Sequence, residues 1–238
     1  MAHQSTNPPR AGSSTFDATP LDLTDPALFR GFSYIGGRWT AGAKSGTIAV
    51  INPADGSHLG DVASLPAIDS AGAVDAAETA FAIWSAMLPQ QRSIILRRWF
   101  ELIRENSEDL ARIMVLEQGK PISEAHGEIE YAASFVEFFA EEAKRPNIES
   151  VTSHLPDAEV EIWREPVGVA ALITPWNFPS AMLTRKASAA LAAGCTVIAH
   201  PAAETPYSAL ALAELAERAG FPAVSYTHLR AHETKANL

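Results

Sequence analysis

The chain has 238 residues, 47% hydrophobic and 19% charged, enough to bury a sizeable core in one large domain or parts of two. A net charge of -10, with no basic patch to neutralise phosphates and no basic amphipathic face, excludes nucleic acid and membrane surfaces as expected partners. One cysteine rules out an intrachain disulfide and suits a reducing compartment; with no membrane-length apolar run, no signal-peptide core and an N-terminus too acidic for a transit peptide, the expected location is cytoplasmic.

Residues 1–31 are rich in Ser, Thr, Pro and Gly without periodicity and are predicted to form a disordered or loosely attached extension. FSYIGGRWT and TIAVINP then predict two short strands, the second running into a turn at Asn52 to Gly56. Ile68 to Met87 is predicted helical, with Ala73, Ala76, Ala77, Ala80, Phe81 and Trp84 facing inward and Asp69 or Ser70 as cap. Gln91 to Asn106 puts Ile95, Trp99, Leu102 and Ile103 on one stripe and leaves Arg97 to pair with Glu101. Ser107 caps the next helix, Glu108 to Gln118, which Gly119 ends; Pro121 opens the longest one. That helix carries a stripe from Ile122 through Ala125, Ile129, Ala132, Val136 and Phe139 to Ala143. A second stripe of Tyr131, Phe135 and Phe138 predicts burial on more than one side, as core packing rather than the wall of a substrate tunnel. Ile148 to Pro156 reads as irregular, and Ala158 to Arg164 alternates like an exposed antiparallel strand.

The chain is organised around Val167 to Pro206. Its first seven residues form an apolar run expected of a strand buried on both faces of a parallel sheet. Pro175 and Pro179 hold Trp176, Asn177 and Phe178 in a stiff loop at the strand's C-terminal end, where open α/β sheets bind ligands. A helix capped by Ser180 runs to Ala193, Gly194 closes it, and Cys195 to Ala199 forms a second buried strand. The loop His200 to Pro206 leads into another helix, Tyr207 to Ala219. The predicted class is α/β, with a Rossmann-like parallel sheet.

PWNFP, followed by TRKASAALAAGCTV, resembles the aldehyde dehydrogenase superfamily, most closely its succinate-semialdehyde dehydrogenase branch; LEQGKP, GEIEYAASFVEFFAEEAKR, YIGGRW and INPADG resemble it in the same order. The resemblance spans Tyr34 to Ala223, about half of a full member, and implies an incomplete N-terminal cofactor-binding region over residues 32–223. After it, VSYTHLRAHET (Val224 to Thr234) breaks away from the strand expected next and resembles an in-frame translation of a transposon-type sequencing adapter, so residues 224–238 are expected to be non-native. His228 and His232 stand at i, i+4 spacing without further ligands, and no metal is expected.

What the resemblance implies is NAD(P)-dependent oxidation of succinate semialdehyde to succinate, by thiolate attack, hydride transfer and thioester hydrolysis. It assigns Asn177 as side-chain donor to the oxyanion, the alternative being an Asn that satisfies its own loop backbone. Thr174, Pro175 and Trp176, with His200, Pro201, Ala202 and Ala203, match positions lining NAD or NADP, with core packing the alternative for Trp176. Arg185 matches a clamp for the substrate carboxylate, the alternative being a solvent-facing arginine. Most relatives have a lysine at position 200 and an acidic or small polar residue at 203, so His200 weakens cofactor grip and Ala203 leaves NADP open. Cys195, at the start of a buried strand, is read as an inert packing thiol. The family's catalytic cysteine and general-base glutamate lie downstream of these residues, so the chain alone is expected to be inactive, and a homo-oligomer is expected of the complete protein. The alternatives are another aldehyde dehydrogenase subgroup or a non-catalytic dinucleotide-binding module.

Overall fold

The computed structural model describes residues 22–41, 46–65, 67–145, 148–222 and 226–228, with the backbone alone at 67–70 and 226–228. The expected caps Asp69 and Ser70, residues 1–21 and most of 224–238 therefore lie outside the described residues.

Strands β1 (Ser33–Ile35) and β2 (Arg38–Thr40) form a hairpin on Gly36 and Gly37, both at positive φ (62° and 73°), as a two-residue turn matching strand twist requires. β3 (Gly46–Ile51) pairs antiparallel with β4 (His58–Ser64), a partner not predicted from sequence. Four helices follow: α1 (Ala67–Ala86), α2 (Pro89–Glu105), α3 (Ser107–Gln118) and α4 (Ile122–Glu142). A second antiparallel ribbon, β5 (Ile148–Val151) with β6 (Val160–Trp163), precedes β7 (Val169–Ile173), α5 (Pro179–Ala193), β8 (Thr196–His200), α6 (Pro206–Ala219) and β9 (Tyr226–His228).

The main sheet has the order β2-β1-β9-β8-β7; β7, β8 and β9 run parallel, β1 pairs antiparallel with β9, and β2 pairs antiparallel with β1. Alternation along β8 divides its side chains between two layers. Ile198 packs with Ala73 and Ala77 of α1, while Val197 and Ala199 join the main core with α2 to α6. Two buried tryptophans tie that core to backbone: Trp84 Nε1 donates to the Leu191 carbonyl at 2.9 Å and Trp99 Nε1 to that of Leu212 at 3.1 Å.

Several expectations are corrected. Residues 22–31 are not loose: Leu28 is fully buried at the end of a short 3-10 helix (Pro26–Leu28), Phe29 stacks on Tyr207 at 3.9 Å, and Asp25 and Arg30 pair with Arg218 and Glu214. Composition averaged over 1–31 hid that anchor. Among the described residues β7 is the edge strand and is not buried on both faces, Ile173 being 74% exposed. Tyr131 and Phe138 are exposed rather than core, since α5 packs beside that stripe without covering it. Ile148 to Val151 is a strand because β6 supplies its backbone partners. Arg97 reaches across to Glu137 and Glu141 on α4, leaving Glu101 to Arg98. Ser107 and Ser180 do not cap their helices; Asn106 and Phe178 stand at those positions.

Candidate active site

β7 and β8 end level, Ile173 opposite His200, so the loops that follow leave the sheet side by side. This brings together every expected cofactor-lining residue. Thr174 and Pro201 are buried at the base, His200, Ala202 and Ala203 are half-buried, and Pro175, Trp176 and Asn177 are exposed at the rim. Trp176, 52% exposed, is not a core residue of the described chain.

Among the described residues, Asn177 is hydrogen-bonded through its backbone. The carbonyl accepts from Lys120 Nζ at 3.3 Å, whereas the carboxamide makes no hydrogen bond to any described residue.

The helices after the two loops begin alike. α5 and α6 each open with proline at the first turn, which removes one orphan amide, and each has its next two amides bound by a carboxylate from another helix. Glu128 of α4 accepts from Ser180 N and Ala181 N at 3.0 and 3.2 Å; Glu117 of α3 accepts from Tyr207 N and Ser208 N, both at 2.7 Å. The positive end of each helix dipole thus faces a buried carboxylate. Burial pushes the Glu117 carboxyl up to about 8, against the pull of its two amide donors. Glu128 is paired with Lys120, Nζ to Oε2 at 2.5 Å. At its other end α5 is held by Arg92, whose Nε donates to the Ala192 carbonyl at 3.3 Å, and by Trp84.

Neither glutamate nor Lys120 was singled out from sequence, yet a signal was present. Glu128 falls between Ala125 and Ala132 on the inward stripe of α4, and Glu117 continues the buried series Leu110, Ile113, Met114 of α3. An acid on a core stripe needs a buried partner.

Arg185 projects from α5 into solvent, beyond the two loops. Its guanidinium folds back along the helix, Nη2 lying 3.3 Å from Met182 Sδ and Cζ 5.9 Å from the Phe135 ring centroid. No described carboxylate pairs with it. Lys186, one residue on, turns to the Met182 carbonyl, and burial followed by the Arg185 charge lowers its pKa. Cys195 is buried at the foot of β8, away from the loop ends.

The sequence profile of the aldehyde dehydrogenase family matches residues 39–236. The chain belongs to the aldehyde dehydrogenase family. It is 57% identical over 84% of its length to a non-phosphorylating aspartate-semialdehyde dehydrogenase of Halomonas elongata, covering 41% of that protein. It is 53% identical over 85% to a glutarate-semialdehyde dehydrogenase of Pseudomonas aeruginosa, and 52% identical over 85% to an NADP(+) succinate-semialdehyde dehydrogenase of Escherichia coli, covering 42% of each. Among solved structures, a succinate-semialdehyde dehydrogenase of Burkholderia pseudomallei superimposes with a TM-score of 0.87 at 47% identity, over 89% of this chain and 44% of that one. The chain thus spans about two-fifths of the length of the relatives it matches.

Aldehyde dehydrogenases take a nicotinamide dinucleotide, and the crevice residues suit one end of it. Both helix N-termini are closed by carboxylates, so neither offers free amides to a diphosphate. The two loops bring an exposed indole, a half-buried imidazole and two half-buried alanines together at the end of the sheet. Among the described residues no cluster of three His, Cys, Asp or Glu could hold a metal, and no helix is long and apolar enough to cross a membrane.

Proposed function

We propose that the longer protein to which this chain belongs oxidises a carboxylate-bearing semialdehyde, succinate semialdehyde first, to the corresponding diacid with NAD+ or NADP+. The observation that carries the reading is Arg185: a guanidinium free of described carboxylates, on the helix that follows the Asn177 loop and folded back towards that loop. Helical side chains lean towards the N-terminus, so Phe178, Met182 and Arg185 form one face leading from the loop. The Arg185 fork holds the substrate carboxylate bidentately. The Asn177 carboxamide, unspent on the fold, donates to the oxygen that becomes anionic when the aldehyde is attacked. Bound between the two loops, against Thr174 to Trp176 and His200 to Ala203, NAD+ or NADP+ supplies the hydride acceptor.

The relatives' names span aspartate, glutarate and succinate semialdehydes, and all three substrates carry the distal carboxylate that Arg185 suits. The test is a substrate panel on the full-length protein. Arg185→Ala is expected to raise KM for succinate semialdehyde by about 100-fold while leaving butanal nearly unchanged, the loss of a bidentate charged contact. Asn177→Ala is expected to lower kcat by about 100-fold to 1000-fold for both. Equal damage to both aldehydes by Arg185→Ala defeats the carboxylate reading.

The exposed apolar residues of the β5–β6 ribbon, among them Ile148, Ile162 and Trp163, support a homo-oligomer of the full-length protein. The lone buried Cys195 supports a reducing, cytoplasmic setting. Residues 224–238 are read as adapter-derived on the strength of the VSYTHLRAHET sequence; recovery of the same codons from source DNA would defeat that.

A further inference from the structure

We infer that Lys120 and Glu128 form a positioning clamp for Asn177, a buried ion pair that fixes the backbone on both sides of Phe178-Pro179 and thereby aims the carboxamide. The role of Asn177 rests on the functional reading above; the clamp rests on the geometry of this chain. The two side chains are 8% and 1% exposed. Glu128 holds the amides of Ser180 and Ala181, fixing where α5 begins. Lys120 holds the carbonyl of Asn177 and stands 4.3 Å from the Phe178 ring centroid. Holding that carbonyl sets the 177–178 peptide plane, hence ψ of Asn177 and the direction in which its side chain leaves.

A buried ion pair adds little stability over apolar residues of the same volume, so its presence at this one point is explained by the geometry it fixes. The prolines restrict the loop from within but offer no contact to the Asn177 carbonyl. Lys120 comes from the α3–α4 connection and Glu128 from the first turns of α4, so one neighbouring segment holds both the Asn177 carbonyl and the amides that open α5.

The test uses the full-length enzyme with succinate semialdehyde and NADP+. Lys120→Met combined with Glu128→Gln replaces the ion pair by a neutral pair whose glutamine oxygen still accepts the α5 amides. The expected result is a kcat lowered by about 10-fold to 100-fold with KM changed less than about 3-fold, the signature of a misaimed transition-state donor. In an Asn177→Ala background the same pair of substitutions is expected to lower kcat by less than about 2-fold, because the group it positions is gone. Equal losses in both backgrounds overturn the clamp and leave a structural pair. Should the double variant fail to fold, Lys120→Arg, which keeps Glu128 paired but moves the donor, passes through the same cycle with the same two outcomes. Amide exchange across residues 176–182 is expected to quicken in the variant that folds, and unchanged exchange also overturns the clamp. A wild-type enzyme that oxidises no aldehyde overturns the functional reading instead, and exchange then decides the clamp by itself.

Discussion

The amide of Thr174 donates to the carbonyl of His200 at 3.2 Å, so the loop carrying Asn177 and the loop carrying His200 leave the sheet as one joined unit. His200→Lys in the full-length protein is expected to tighten NAD+ or NADP+ binding by about tenfold, the worth of one charge-assisted hydrogen bond. Isothermal titration measures it, and an unchanged dissociation constant counts against His200 as a cofactor contact.

Ala203 lies half-buried in the same loop and carries no charge that would repel a 2'-phosphate. Ala203→Glu places a carboxylate there and is expected to weaken NADP+ relative to NAD+ by about tenfold. The ratio of the two dissociation constants is the readout; equal changes for both cofactors place residue 203 away from the ribose.

Glu117 gives the fold a pH dependence of known sign. Its carboxyl has an ordinary value of 4.5 and is raised to about 8 in the fold, first by burial. Between those values the folded chain keeps a proton that the unfolded chain has released. Stability from this group is therefore greatest below pH 4.5, falls by at most about 1.4 kcal/mol per pH unit through the window, and levels off above 8. Denaturant midpoints from pH 5 to 9 should fall more steeply for the native chain than for Glu117→Gln, which cannot titrate. Parallel curves would mean that the Tyr207 and Ser208 amides keep the carboxylate ionised.

Trp84 is fully buried and its indole donates to the Leu191 carbonyl near the C-terminal end of α5. Trp84→Phe leaves that carbonyl without its donor and opens a small void, expected to cost about 1–3 kcal/mol. The urea midpoint should drop with the slope unchanged.

The sequence by itself determined the αβ alternation from Val167 onward, the left-handed glycines that end α3 and α5, and the loop in which two prolines flank Trp176, Asn177 and Phe178. Each of these is written in local chemistry: apolar runs, fixed proline φ, and the tolerance of Gly119 and Gly194 for φ of 82° and 97°. Asn177, Arg185 and His200 were singled out by the resemblance of their motifs to the aldehyde dehydrogenase family. Only the tertiary structure decided what surrounds them. Among the described residues β7 lies at a sheet edge, so a run that looked doubly buried keeps one open face. Glu117, Lys120 and Glu128 hold the helix starts and the Asn177 carbonyl across separations of 52 to 91 residues. A carboxylate that caps a helix from another element leaves no mark beside that helix, because hydrogen bonds depend on distance in space and not along the chain.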